Sequence, residues 1–142
     1  MDFALFTSDG ALFFLRWMHI FFGIIWIGHL YYFNFVQGAF FAETDAATKN
    51  NAITKLVPRA LWWFRYGALF TLITGLFLII GRHHQGFNFA SSWGVNILTS
   101  MSMAVIMFLN VWLIIWPNQK IVIASATQVV GGGQTSADYL RG

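Results

Sequence analysis

The stretch RWMHIFFGIIWIGHLYYFNFVQGAFF, residues 16–41, decides the fold of this chain. After Arg16 it contains no formally charged residue, yet it holds two histidines, His19 and His29. About 20 apolar residues, each rising about 1.5 Å along a helix, cross the roughly 30 Å hydrocarbon core of a bilayer. The stretch therefore predicts a membrane-spanning helix. Its histidines lie where a titratable side chain is costly unless a partner or a metal occupies it.

The composition extends this prediction to the whole chain. Of its 142 residues, 58% are hydrophobic and 9% are charged, against roughly 25% charged in a soluble domain. We therefore predict an all-α integral membrane protein that forms a single domain over residues 1–142, with the lipid bilayer as part of its solvent. The basic residues lie in short loops rather than in one patch, so no nucleic-acid partner is expected.

Three transmembrane helices are predicted, at about residues 12–41, 61–81 and 94–116. The third is expected to stop at Pro117, and residues 119–130 are mildly amphipathic, which is typical of an interfacial helix. The remaining tail, 131–142, begins with glycines, and we expect it to be mobile.

The first loop is polar enough to be wet. In it, Thr44 or Asp45 is expected to cap a short helix that leads to Pro58.

Basic residues near the span ends predict the orientation in the membrane, because they favour the cytoplasmic side. One side carries Lys49, Lys55, Arg59, Arg65 and Lys120, and the other carries Arg16 and Arg82. We expect a multi-pass membrane protein with its N-terminus outside and its C-terminus inside.

The first predicted helix suits a haem b site. On a helix, His19 shares a face with Phe22, Gly23 and Trp26, and a glycine one turn from a histidine leaves room for a flat macrocycle. His29 lies ten residues further on, about 15 Å along the axis, so one iron cannot bind both histidines.

The second axial ligand must come from another part of the chain. His83 and His84 follow the second predicted span and return to the side nearest His19. Either one is a candidate partner for His19, and such bis-His ligation favours one-electron transfer. Asn110 is a candidate for orienting a ligand histidine, because its amide has several hydrogen-bonding capacities to satisfy.

Plainer interpretations stay open for the same residues. A histidine or asparagine inside a span also serves as a hydrogen-bond partner of a neighbouring helix. Adjacent histidines beside Arg82 are also typical of a solvated loop. A zinc or copper site is less favoured, since no two histidines lie close together within one span. The absence of cysteine excludes a covalently attached c-type haem.

Three stretches together resemble the membrane domain at the N-terminus of bacterial urate oxidases, the urate hydroxylases that carry a cytochrome c domain at their C-terminus. They are Arg16–His19 followed by Gly23 and Trp26–Gly28, Trp63–Tyr66 leading to Thr74–Gly75, and Asn110–Trp112 followed by Ile115–Lys120. The resemblance covers roughly residues 12–123 and implies a short form of that domain without the cytochrome part. It also implies a redox role, with His19 matching the family's first-span histidine, and a location in the bacterial inner (cytoplasmic) membrane.

These observations predict a membrane redox subunit that binds haem b and passes electrons within a larger respiratory or oxidoreductase complex. Three helices enclose a macrocycle poorly, so other membrane subunits or a homo-oligomer are expected to complete the pocket. A cytochrome c or a quinone is the expected electron partner. The alternative is a cofactor-free structural accessory subunit of a membrane complex. A stand-alone oxidase is less favoured, since no carboxylate–histidine or nucleophile constellation is present.

Overall fold

The computed structural model describes residues 7–86 and 88–131, and every regular element among them is helical. There are four helices in this part of the chain: α1 (Ser8–Glu43), α2 (Ala46–Lys55), α3 (Val57–His84) and α4 (Ser92–Val130). Of these, α1, α3 and α4 are long and apolar enough to cross a membrane. The prediction of an all-α membrane protein with three such helices is therefore confirmed. The predicted mobile tail lies, apart from Gly131, outside the described residues.

Side-chain caps begin three of the helices. The Thr7 hydroxyl accepts a hydrogen bond from the Gly10 amide, and the Ser91 hydroxyl accepts one from the Gly94 amide, each at 3.1 Å. The Asp45 carboxylate caps α2 by accepting from the Thr48 amide at 2.9 Å. Hydrogen bonds from Thr48 lower the pKa of the Asp45 carboxyl. The predicted capping of a short helix before Pro58 is thus confirmed, with Asp45 in that role.

The third helix does not stop at Pro117, and residues 119–130 continue it rather than forming a separate helix. A proline inside a helix lacks the amide hydrogen and collides with the preceding turn. Here the turn before it, Val111–Ile115, is π-helical, and this wider turn accommodates the ring. Pro117 therefore does not end the helix, because the helical pitch changes locally before it.

The helices α1 and α3 pack against each other along most of their length and run antiparallel. Glycines of α3 make the close contacts, with Gly67 against Ile25 and Trp26, and Gly75 against His19. Small residues allow this approach because helix association inside lipid depends on van der Waals packing rather than on the hydrophobic effect.

The buried core lies at the end of the bundle that carries α2, which we call the α2 end. There α2 packs on the C-terminal part of α4 and on α3. The core residues are Trp26, Ile53, Val57, Leu61, Phe64, Ala68, Val111 and Ala126.

At the opposite end, which we call the turn end because it holds the α3–α4 turn, the first half of α4 has few contacts with α1. The bundle is therefore closed at the α2 end and open at the turn end.

The glycine contact predicts the effect of one substitution on stability. A Cβ atom at Gly67 would lie 3.0 Å from the Ile25 side chain and 3.1 Å from the Trp26 backbone nitrogen. We expect Gly67→Val to lower the free energy of unfolding by about 1–3 kcal/mol, since overpacking forces helices apart. Thermal unfolding in detergent measures this effect.

Gly23→Val is the matched control, because a Cβ atom there would meet nothing within 4 Å. Equal melting temperatures for the two variants would contradict the close α1–α3 contact.

Candidate functional site

A cleft of about 990 Å³ opens where α4 diverges from the other two long helices. Its walls come from the first half of α1, the second half of α3 and the first half of α4. The lining is mostly apolar, with a small number of polar and charged side chains. These polar and charged lining residues are Arg16, His19, Thr71, Arg82, Asn96 and Ser100.

His19 is the titratable residue at the centre of the α1–α3 contact. Its Nδ1 atom lies 2.9 Å from the Thr71 carbonyl oxygen and 3.2 Å from the Thr74 hydroxyl oxygen. A carbonyl oxygen only accepts hydrogen bonds, so Nδ1 carries the hydrogen and donates it. Nε2 is then the unprotonated nitrogen of the neutral ring, and its lone pair is free to bind a partner.

The sequence of α3 positions this imidazole. The Thr71 and Thr74 hydroxyls donate to carbonyl oxygens one turn earlier, Gly67 at 2.8 Å and Phe70 at 2.6 Å. The Thr74 oxygen is thereby turned so that its lone pair accepts from His19. Gly75 leaves room for the ring, because a Cβ atom there would lie 2.9 Å from the His19 Cε1 atom.

Two arginines from different helices line the same cleft. Arg16 precedes His19 by about one turn of α1, and Arg82 lies near the end of α3. Both side chains are exposed. Arg82 contacts the Gln85 side chain, which in turn donates to the Asp9 carboxylate at 2.9 Å. The turn end of the cleft is therefore cationic, while its deeper part near Trp26 is apolar.

The four predicted cofactor-binding residues do not all lie together. His19 and Trp26 both line the cleft, and Trp26 is 4% exposed. Gly23 lies between them on α1 but is not part of the lining, and a Cβ atom there would meet nothing within 4 Å. Asn110 is exposed on α4 and lies outside the lining.

His29 belongs to a different region from His19. Its Nδ1 atom lies 2.7 Å from the Ile25 carbonyl oxygen of its own helix. It lines a separate, more open groove of about 520 Å³ together with Arg59 and Trp63.

His83 and His84 are exposed at the end of α3, where His83 stacks on Phe89 with ring centroids 6.0 Å apart. Neither lines the cleft of His19. Within the two described ranges, no group of three His, Asp or Glu side chains is arranged to hold a metal ion.

Sequence reasoning missed the contribution of the arginines and of α4 to this cleft. The spacing of Arg16 and His19, three residues apart, places both on one face of α1. Gly75 and Arg82, seven residues apart, share a face of α3 in the same way. These two spacings are the signal in the sequence that could have indicated the cleft.

No protein-family model, curated protein or solved structure matches this chain.

The hydrogen bond of His19 predicts its tautomer. We expect the neutral ring to be protonated on Nδ1, because Nδ1 faces a carbonyl oxygen that can only accept. Nitrogen-15 NMR of histidine-labelled protein distinguishes the two ring nitrogens, and the spectrum of His19→Gln assigns the signal. A His19 ring protonated on Nε2 instead would contradict this geometry.

Proposed function

We propose that this chain binds haem b in the cleft through His19 and passes electrons within a larger membrane complex. One observation carries the proposal. The Nδ1 atom of His19 is held by the α3 backbone, so Nε2 is left as an unprotonated ligand atom on a residue that lines a large cleft. A backbone carbonyl that accepts from Nδ1 is a common means of orienting a ligand histidine.

The cleft is suited to haem b in size and in the distribution of charge. Ligand pockets are commonly about 300–1,000 Å³, and this cleft lies at the upper end of that range. Its deeper wall is apolar, as a macrocycle requires. Its turn end carries Arg16 and Arg82, two cations for the two propionate groups of haem b.

Bound haem b supplies reversible one-electron transfer at its iron. The residues of the chain then have separate tasks. His19 would offer Nε2 to the iron, and Thr71 and Gly75 hold its ring in place. Arg16 and Arg82 would bind the carboxylates at the turn end, and Trp26 would close the deep end.

The open side of the cleft supports a role within a complex. Large apolar side chains on the first half of α4, such as Trp93 at 69% and Ile106 at 67%, are exposed. Either lipid or further protein must cover them. We propose that another membrane subunit or a second copy completes the cleft, with a cytochrome c or a quinone as the electron partner.

The proposed setting follows from the sequence. The distribution of basic residues supports the bacterial inner membrane, with the N-terminus outside. The resemblance to the urate oxidase membrane domain supports an electron-transfer role rather than stand-alone oxidation.

A second function is favoured by one specific observation. The hydrogen bonds of His19 to Thr71 and Thr74 join α1 to α3, and such bonds alone give a buried histidine a structural purpose. On this alternative, the chain is a cofactor-free accessory subunit that packs its apolar faces on a larger membrane complex.

Replacing His19 distinguishes the two functions. We expect the detergent-purified chain, produced in a haem-synthesising host, to show a Soret absorption band that changes on reduction. His19→Ala should lose most of this absorbance, because it removes the axial ligand.

His29→Ala is the matched control and should retain the band, since His29 lies in the other groove. A wild-type chain without haem, or a Soret band unchanged in His19→Ala, would favour the accessory subunit.

The arginine pair predicts a graded effect on affinity. We expect Arg16→Gln and Arg82→Gln each to weaken haem binding by about 10- to 100-fold, since a charge-assisted hydrogen bond contributes roughly 1.5–3 kcal/mol. Haem titration of the apoprotein in detergent measures this change. Arg59→Gln is the control, because Arg59 lines the separate groove. Equal affinities in all three variants would contradict a propionate-binding role for the pair.

A further inference from the structure

Two side chains in the lining of the cleft carry an atom that commonly binds haem iron. One is His19, and the other is Met101 on α4, whose thioether sulfur is a soft ligand. The other lining side chains are aliphatic or aromatic groups, hydroxyls, one amide and the two arginines. The chemistry of the lining therefore offers one candidate for a second axial ligand.

The register between α3 and α4 places Met101 near the height of His19. The two helices run antiparallel, and the Tyr66 and Trp112 rings meet with centroids 6.2 Å apart. Counting eleven residues from each of these towards the turn end brings Phe77 level with Met101. Gly75, which packs on His19, lies two residues from Phe77, so Met101 stands within about 3 Å of the height of the imidazole.

Met101 and His19 also come from different walls. His19 belongs to α1 and is held against α3, whereas Met101 belongs to the first half of α4, which diverges from α1. The two axial ligands of one iron must approach it from opposite sides. Two side chains at similar height on separate walls of one cleft meet this requirement. Met101 is half-buried, and methionine is unbranched and flexible enough to adjust its sulfur.

We infer that Met101, rather than His83 or His84, is the second axial ligand, an inference that rests on the proposed binding of haem b by His19. His83 and His84 are exposed and lie outside the lining of the cleft. Methionine in place of a second histidine raises the reduction potential of a haem.

The test compares Met101→Leu with Met103→Leu in the full chain. Met103 is 62% exposed and does not line the cleft, so its replacement controls for the loss of a methionine from α4. The readouts are haem content, the spin state of the ferric iron by electron paramagnetic resonance, and the reduction potential. We expect Met101→Leu to retain haem but to change from low-spin to high-spin iron, while Met103→Leu remains low-spin.

Met101→His provides a second, independent arm. It gives the iron two histidine ligands in place of one histidine and one methionine, so we expect low-spin iron with a reduction potential below that of the wild-type chain.

Low-spin iron in Met101→Leu would overturn the assignment of Met101 and leave haem binding by His19 intact. A change from low-spin to high-spin iron in the double variant His83→Ala, His84→Ala would do the same. A wild-type chain that binds no haem would overturn both.

Discussion

The hydrogen-bonded contact of His19 with α3 is the interaction on which the rest of the structure depends. It joins α1 to α3 through the Thr71 carbonyl oxygen at 2.9 Å, at a point where Gly75 allows the ring to approach the helix backbone. The same contact fixes the tautomer of the imidazole and leaves Nε2 as the nitrogen proposed to bind iron. One local geometry thus serves both helix packing and the proposed chemistry.

The hydrogen bonds of His19 bear on both the proposed redox function and the purely structural one. A side-chain hydrogen bond between helices in a membrane contributes on average about 0.6 kcal/mol and at most about 1.7 kcal/mol. That gain accounts for Nδ1 alone. Within residues 7–86 and 88–131, Nε2 makes no hydrogen bond, and the half-buried His19 side chain lines the cleft. The structural function therefore uses one ring nitrogen, whereas the proposed iron-ligand role would use both.

The sequence predicted the architecture well and the site only in part. Hydropathy identified three long helices because spans of this kind depend on composition more than on detailed packing. The predicted end of the third helix was wrong because a π-helical turn at Val111–Ile115 accommodates Pro117. The residue types of a segment do not indicate such a local change in helical pitch. His19 and Trp26 were found from helical spacing alone. The joining of Arg16, Arg82 and Met101 to one cleft depends on how three helices diverge, which no spacing within a single span encodes.

The most direct test of the central claim asks whether His19 is the histidine that binds the iron. In the triple variant His29→Gln, His83→Gln, His84→Gln, His19 is the one histidine left in the chain. Pulsed electron paramagnetic resonance of this variant, labelled with nitrogen-15 at histidine, detects coupling between the ferric iron and a ring nitrogen. We predict bound haem with coupling from one histidine nitrogen. Bound haem with no such coupling, or a variant that loses haem altogether, would contradict it.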